Sequence, residues 1–275
     1  MPARARSRSS GSGTPTPDAL FIGGGTGGGK TTTARALAAR HGLRLLPVDA
    51  CWYEHAERAG ETAPAPDVQW LEWSPATQAA DFERISRLML GYVLDDLPSL
   101  PEQPAVLVEG PQVVPDLLPD AAYAVFLVPT PEFQRASLSP RPMPSSDPAR
   151  ALANRLVKDR LYADRVAELA RERGFIVVDV DGSRSTDELC ALIEDAFPDY
   201  FRGSEPVDLP AVRRWENEKV ARNVRAWIAS GDLRTSGEMP VPFACECGRL
   251  GCGERVEIML TDFEREERVL APGHG

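Results

Sequence analysis

The amino-acid sequence predicts an α/β fold, a parallel five-stranded sheet flanked by helices, with a small C-terminal helix and cysteine-rich module appended. Short apolar runs alternate with segments of helical periodicity, which is typical of a parallel sheet covered by helices. The first apolar run leads directly into a glycine-rich segment and then into a strong helix former. We expect a disordered tail over residues 1–17, an α/β domain over residues 18–200 and a C-terminal module over residues 205–275.

Apolar runs predict strands over residues 19–22, 43–48, 105–108, 123–128 and 175–180. Helical spacing predicts helices over residues 34–40, 51–59, 77–97, 149–173, 185–197 and 211–230. Gly42, Gly174 and Gly231 are expected to end three of these helices, because glycine readily adopts the left-handed conformation of a C-terminal cap. Ser185 and Glu188 fit a capping box. The proline-dense residues 129–148 are expected to form a loop.

Residues 24–31 match the phosphate-binding pattern G-x-x-x-x-G-K-[ST]. Between a strand and a helix, such a loop directs backbone N–H groups at phosphate oxygens. The predicted nucleotide-binding residues are Gly24, Gly25, Thr26, Gly27, Gly28, Gly29, Lys30, Thr31 and Thr32. Lys30 would reach the β- and γ-phosphates, and the Thr31 hydroxyl would bind Mg²⁺. The alternative is a flexible glycine linker, but a linker requires neither the Lys-Thr pair nor the flanking strand and helix.

A phosphate-binding loop does not define the reaction, but other features of the sequence narrow it. The N-K-x-D pattern with which GTPases read guanine is absent from the sequence. A carboxylate ends the second predicted strand, a glutamate ends the third, and an arginine-bearing segment precedes the fifth. With these features, residues 18–200 resemble the nucleoside, nucleotide and small-molecule kinases of the P-loop class. The resemblance implies ATP and Mg²⁺ as cofactors and a small hydroxylated acceptor, and it is specific only at the loop.

The resemblance also implies roles for individual residues. Asp49 would orient or deprotonate the acceptor hydroxyl, and Glu109 would bind Mg²⁺ through water or contact the acceptor. Arg155 and Arg160 would clamp the transferring phosphoryl group, and Lys30 completes the expected catalytic set. The alternatives are a turn aspartate, a charge at a helix end and a solvated helix face. The residues after Asp49 are expected on the acceptor side or packed under a helix: Trp52, Tyr53, His55 and Arg58.

The C-terminal module contains Cys245, Cys247 and Cys252 in a segment too short to bury much core. Together with His274, these residues predict a Cys3His zinc site, and three reduced thiols in a small β module are the alternative. The module resembles a cysteine-rich tail of uncharacterised high-GC bacterial proteins, which implies no function. Trp215 and Trp227 are expected to supplement its core, residues 256–258 to form a strand, and residues 261–264 to form a capping box.

Composition excludes some classes of protein. A net charge of −10 argues against a general binder of nucleic acids or anionic membranes. No apolar run is long enough to span a membrane, and residues 1–17 lack the apolar core of a secretory signal. Five cysteines do not pair into an even disulfide framework, so we expect a reducing cytoplasm.

The sequence therefore predicts a cytoplasmic, ATP-dependent kinase of a nucleoside, nucleotide or other small hydroxylated metabolite. The alternative is an ATP-binding regulatory switch whose C-terminal module provides a surface for a protein partner. Steady phosphoryl transfer to a metabolite would favour the kinase, whereas nucleotide binding without turnover would favour the switch.

Overall fold

The structure is a computed structural model that describes residues 18–202, 207–230 and 239–275. The predicted tail over residues 1–17 and the predicted helix end at Gly231 lie outside these ranges.

The described residues contain a five-stranded sheet in the order β2-β3-β1-β4-β5, with every neighbouring pair parallel. Its strands are β1 (Ala19–Gly24), β2 (Arg44–Pro47), β3 (Val106–Glu109), β4 (Tyr123–Pro129) and β5 (Ile176–Val180). The central strand β1 is almost wholly buried, as expected for a strand covered on both faces. The predicted fold class is confirmed.

Helices cover both faces of the sheet. They are α1 (Lys30–His41), α2 (Trp52–Ala59), α3 (Pro75–Asp96), α4 (Pro131–Leu138), α5 (Pro148–Glu172), α6 (Thr186–Ala196) and α7 (Pro198–Phe201). Apolar residues of α3 and α5 form the core on one face, with Met89 and Val166 fully buried. Apolar residues of α1 and α6 form the core on the other face, where Leu37 and Ile193 are fully buried.

The predicted helix ends are confirmed where local chemistry determines them. Gly42 has a φ of 64° and donates its N–H to Ala38 O at the end of α1. Ser185 and Glu188 form the predicted capping box of α6. The expected loop over residues 129–148 is wrong in part, because α4 lies within it. The Thr130 side chain accepts a hydrogen bond from Phe133 N, and a proline at the first helical position starts a helix without disrupting it.

The C-terminal part comprises α8 (Leu209–Ala229), β6 (Val241–Ala244), β7 (Arg255–Ile258) and α9 (Leu260–Phe263). Strands β6 and β7 pair antiparallel, which confirms the predicted strand around residues 256–258. The predicted capping box at residues 261–264 is wrong. Helix α9 begins at Leu260, so Thr261 lies inside it and no side chain caps its N-terminus.

A small apolar core joins α8 to the module, and its buried members are Ala221, Val241, Phe243, Phe263 and Val269. The rings of Phe243 and Phe263 stack with centroids 4.2 Å apart. The expectation that Trp215 and Trp227 join this core is wrong. Trp215 packs against the core of the large sheet, and Trp227 stacks on Tyr53. One side of α8 packs against the large sheet and the other side packs against the module, and the smaller residues of α8 lie on the side that faces the module.

Helix α8 is tied to the sheet domain by polar contacts. The buried Arg213 guanidinium donates to Ala38 O at 3.0 Å and to Leu43 O at 3.1 Å, at the end of α1. Glu216 pairs with Arg213 and accepts the N–H of Leu45 at 2.7 Å. The predicted boundary between residues 18–200 and 205–275 remains a prediction.

Within the ranges described, we find no helix that combines the length and the apolar character needed to cross a bilayer.

Candidate functional site

The glycine-rich loop between β1 and α1 has a conformation that depends on its glycines. Gly24 has a φ of +113°, and a Cβ there would lie 2.1 Å from Leu127 O. A Cβ on Gly28 would lie 2.8 Å from the same oxygen. Gly25 N donates to Leu127 O at 3.1 Å, and the Gln134 amide donates to Thr26 O at 3.1 Å. The loop is therefore held against β4 and α4 at the carboxyl edge of the sheet, where parallel sheets bind ligands.

Lys30 lies at the start of α1 and folds back over the loop. Its Nζ donates to Gly25 O at 2.7 Å, and the residue is only 5% exposed. Burial lowers the pKa of Lys30, while the nearby carboxylates of Glu109 and Asp49 oppose that change. A buried ammonium group thus stands beside two acidic side chains and the phosphate-binding loop.

Thr31 and Glu109 bring a hydroxyl and a carboxylate together from different elements. Thr31 Oγ1 donates to Glu109 Oε2 at 3.2 Å. Glu109 ends β3 and is buried. Burial and, secondly, the charge of Asp49 raise the pKa of Glu109 to about 7, although Lys30 opposes the change. Two oxygen donors of this kind suit Mg²⁺, which binds hard oxygen ligands and retains several waters.

Asp49 follows β2 in a short 3₁₀ turn, Val48–Cys51. The amide of the buried Gln112 donates to Asp49 Oδ1, and Asn223 of α8 donates to Asp49 O at 3.3 Å. Asn223 also accepts the N–H of Tyr53 at 2.9 Å. Asn223 therefore links the turn and the first turn of α2 to α8, and the Asp49 carboxylate is oriented by a neutral donor.

A cleft of about 840 Å³ opens beside the glycine-rich loop. Polar and charged residues on its wall include Thr26, Asp49, Gln112, Arg141, Arg155, Lys158, Asp159 and Asn223. Aromatic residues on the wall are Trp52, Tyr53, Trp70, Trp73, Phe82 and Trp227. The chain thus brings the predicted Asp49 and Arg155 to one cavity, next to the glycine-rich loop.

Helix α5 lines the cleft with an ionic cluster around Asp159. Lys158 Nζ lies 2.9 Å from Asp159 Oδ1, and Arg155 Nε lies 3.4 Å from Asp159 Oδ2. The Lys158 ammonium also lies 3.5 Å from the centre of the Phe82 ring. Burial lowers the pKa of Arg141, and the neighbouring Arg155 lowers it further. Three cationic side chains therefore face the cavity with one buried carboxylate between two of them.

Other predicted residues lie elsewhere. Arg160 is not on the cleft wall. It donates to Pro129 O at 2.8 Å and pairs with Asp164. His55 is buried against Tyr92, and Arg58 bonds Asp96 at 2.8 Å, so both contact α3. Of the two alternatives given for these residues, packing against a helix applies to His55 and Arg58, whereas Trp52 and Tyr53 line the cleft.

Three site residues escaped the sequence analysis: Gln112, Asp159 and Asn223. Gln112 follows the end of β3 closely, so the rule that strand ends line the ligand crevice was the available signal. Asp159 has the spacing of an ordinary exposed helix pair with Arg155. Nothing in the local sequence signals Asn223, because its role depends on how α8 docks.

A second cluster lies in the C-terminal module. Ligand atoms of Cys245, Cys247, Cys252 and His274 all lie within 4.8 Å of one another. The structure thus brings together the four residues predicted as metal ligands. The remaining cysteines, Cys51 and Cys190, are buried in the sheet domain.

A scan against protein-family models finds no match, and a search of curated proteins finds no relative. Among solved structures, the chain is similar to the shikimate kinase from Acinetobacter baumannii in complex with shikimate, with a TM-score of 0.42 and 19% identity. That match covers 67% of this chain and 96% of the other. The shikimate kinase from Bacteroides thetaiotaomicron gives a TM-score of 0.37 and 17% identity, covering 66% and 97%. The shikimate kinase from Aquifex aeolicus gives 0.37 and 14%, covering 68% and 99%.

At these levels of identity the likeness carries no information about the substrate of this chain. Its strand order and its glycine-rich loop define an α/β protein with a parallel sheet and a P-loop pattern between β1 and α1.

Proposed function

We propose that the protein is an ATP-dependent phosphotransferase that acts on the hydroxyl group of a nucleoside, a nucleotide or another small metabolite. The observation that carries the proposal is the cleft beside the P-loop, where Thr26, Asp49 and Arg155 share one wall. A P-loop alone indicates nucleotide binding. An adjoining cavity with an oriented carboxylate and several cations supplies a place for an acceptor.

The loop fits a nucleoside triphosphate by its shape and charge. Glycines at positions that a Cβ would fill let the backbone approach phosphate oxygens closely, and Lys30 contributes a buried positive charge beside them. The residues that would hold ATP are those of the predicted set, Gly24 to Thr32. When bound, ATP would supply the phosphoryl group, and Mg²⁺ would neutralise charge on its phosphates.

The metal would be held by Thr31, with Glu109 either in its shell or reaching it through water. The hydrogen bond between these side chains supports the assignment, because a hydroxyl oxygen and a carboxylate oxygen lie side by side where the glycine-rich loop meets α1. Glu109 must give up its proton to serve a cation, and its pKa of about 7 makes that readily attainable near neutral pH.

Asp49 would orient the acceptor hydroxyl and receive its proton. Its carboxylate lines the cleft and is held by the Gln112 amide, so the side chain is positioned before any acceptor enters.

The cations of the cleft would stabilise charge on the group in transfer and hold anionic parts of the acceptor. Arg155 is placed for this role by its bond to Asp159, and Lys158 and Arg141 lie beside it. Arg160 would act from the side of the phosphate donor. It donates to Pro129 O, and the Pro129 ring lies close to Gly25 of the glycine-rich loop. The aromatic wall would accommodate a planar base or an apolar ring face.

The test is ADP release from ATP and Mg²⁺ in the presence of a panel of nucleosides, nucleoside monophosphates, sugars and hydroxy acids. We expect one chemical class to stimulate ADP release well above the acceptor-free rate and to yield a phosphorylated product. Tight nucleotide binding without turnover on any acceptor would contradict the proposal and favour the regulatory switch.

A further inference from the structure

The module at the C-terminal end of the chain carries a cluster with no part in the proposed phosphoryl transfer. Cys245 Sγ lies 3.4 Å from His274 Nδ1, and Cys252 Sγ lies 3.5 Å from the same nitrogen. Cys247 completes the group, in which all ligand atoms lie within 4.8 Å. These are not covalent contacts, and all three cysteines are free.

We propose that Cys245, Cys247, Cys252 and His274 bind one zinc ion, and that this ion holds the 247–252 loop against the C-terminal end of the P-loop helix α1. Tetrahedral zinc with its usual bond lengths places a sulfur ligand and a nitrogen ligand about 3.6 Å apart. The two sulfur-to-nitrogen distances are close to that spacing, so little movement is needed to close the site around an ion.

The ligand set selects the metal. Three thiolates and one imidazole form a closed structural zinc site, and soft sulfur ligands disfavour Mg²⁺ and Ca²⁺. A disulfide would join only two of the three cysteines and would not account for the position of the third cysteine and the histidine, whereas a zinc ion would bind all four residues.

Surrounding contacts hold the ligands in place. Ala271 N donates to Cys245 Sγ at 3.3 Å, as is common for a metal-bound thiolate, and His274 N donates to Ala271 O at 3.0 Å. Arg249 Nη2 donates to Gly273 O at 2.9 Å, which ties the segment that carries His274 to the loop between Cys247 and Cys252. The chain end is therefore anchored close to the three sulfurs.

The module also lacks a core large enough to order this loop. The buried apolar residues of the module pack around Phe243 and Phe263 at one end, and Cys247 and Cys252 lie outside that cluster. In modules of this size a metal commonly replaces a hydrophobic core. The β6 strand is ordered separately by the buried Asn217 side chain, which donates to Ala244 O and accepts a hydrogen bond from Ala244 N.

The loop reaches the nucleotide site through α1. Gly251 N donates to Ala39 O at 2.8 Å, and a Cβ on Gly253 would lie 4.0 Å from Ala39 Cβ. Ala39 O belongs to the last turn of α1, whose carbonyls have no partner within the helix. A metal bound to both Cys247 and Cys252 would hold the two ends of the loop, and so would fix the Gly251 N–H that donates to Ala39 O.

The test of the metal is elemental analysis of the full chain after removal of any affinity tag. We expect close to one zinc ion per chain, retained in the matched cysteine control Cys190→Ser and lost in Cys247→Ser. His274→Ala should weaken zinc binding at least about tenfold. Because misfolding of a variant would also abolish metal binding, the wild-type protein is stripped with a chelator and titrated with Co²⁺, which should give a thiolate-to-cobalt charge-transfer band. Purified protein with less than about a tenth of a zinc ion per chain and no such band would overturn the site.

The test of the coupling is hydrogen–deuterium exchange of the wild-type chain with and without zinc, in the absence of nucleotide. Removal of zinc should speed exchange in residues 247–252 and also at the end of α1, residues 36–42. Faster exchange in the loop with no change in residues 36–42 would overturn the coupling. Neither result depends on phosphoryl transfer, so the failure of one proposal is distinguishable from the failure of the other.

Discussion

Among single residues, Lys30 brings a positive charge into contact with the P-loop backbone, since its ammonium group donates to Gly25 O. In Lys30→Ala this charge is lost, and we expect turnover to fall by more than about tenfold, equivalent to ~1.4 kcal/mol of barrier. The measurement is ADP release with the acceptor found by the panel. Lys219→Ala removes a lysine of α8 that pairs with Glu54, and it should keep wild-type activity. Turnover of Lys30→Ala close to wild type would contradict the role of the P-loop.

Asp49 and Glu109 should differ in the parameter they affect. Asp49→Asn keeps the shape of the side chain but removes the base, so kcat should fall by about 10²–10⁴ with ATP affinity unchanged. Glu109→Gln should instead raise the Mg²⁺ concentration needed for half-maximal rate. Asp95→Asn, an exposed aspartate of α3, is the control for Asp49→Asn. Identical kinetic defects with unchanged Mg²⁺ dependence would defeat this division of roles.

The buried carboxyl group of Glu109 should make stability depend on pH when Mg²⁺ is absent. Its pKa is raised from 4.5 to about 7 by burial first and by Asp49 second. Between these values the folded chain holds a proton that the unfolded chain has lost, so this contribution to stability is present at low pH and is lost as pH rises through about 7. Thermal melts should show Glu109→Gln gaining in Tm relative to wild type between about pH 5 and about pH 8. An equal difference in Tm at both pH values would disprove the effect.

At the scale of elements, α5 contains two aspartates that each follow an arginine by one turn but differ in burial. The Asp159 side chain is 2% exposed and pairs with Arg155 and Lys158, whereas Asp164 is 65% exposed and pairs with Arg160. Asp159→Asn leaves buried cations without their counterion, and we expect unfolding free energy to drop by about 3–5 kcal/mol. Asp164→Asn should cost less than about 1 kcal/mol. Urea unfolding of both variants makes the comparison, and equal losses would mean that burial of the cluster is unimportant.

Elements were predictable where a local rule acts alone, and were mispredicted where two rules compete. The end of α1 at Gly42 and the start of α6 at Ser185 follow from one residue's chemistry. In α4 the density of prolines suggested a loop, but Thr130 and the proline after it form a helix start. In α9 the pattern of a capping box is present, yet the backbone begins the helix at Leu260 and leaves that pattern unused.

At the scale of the whole molecule, Arg213 and Glu216 join α8 to the sheet domain through buried charges, each with a side chain 10% exposed. Because they satisfy backbone groups around α1 and β2, we expect the described parts of the chain to unfold in one transition. Circular dichroism and tryptophan fluorescence in urea should therefore coincide. Two resolved transitions would show instead that residues 205–275 unfold independently.

The variant Arg213→Ala tests the strength of that connection. It leaves Glu216 buried without its charge partner, and we expect a loss of about 3–5 kcal/mol. Arg202→Ala, which removes an exposed partner of Asp199, should cost less than about 1 kcal/mol. If Arg213→Ala lowered the free energy of unfolding as little as the control does, the contact would contribute little to the packing of α8 against the sheet.

The P-loop pattern, the alternation of strands and helices and the candidate metal ligands of the module could all be predicted from the order of the amino acids. The loop is contiguous, so the eight residues of the pattern and the segments on either side are sufficient to recognise it. Apolar periodicity reports burial of an element wherever it lies, which is why the fold class followed without knowledge of the contacts.

The set of residues that line the cleft could not be predicted in this way, because it depends on contacts between distant segments. Asp49, Gln112, Asp159 and Asn223 come from four separate segments, and their proximity depends on how α5 and α8 dock on the sheet. Packing of α2 against α3 directs His55 and Arg58 away from the cleft, and packing of α8 against the sheet directs Trp215 away from the module. Local sequence encodes which face of a helix is apolar, whereas the partner of that face is settled by the packing of the whole chain.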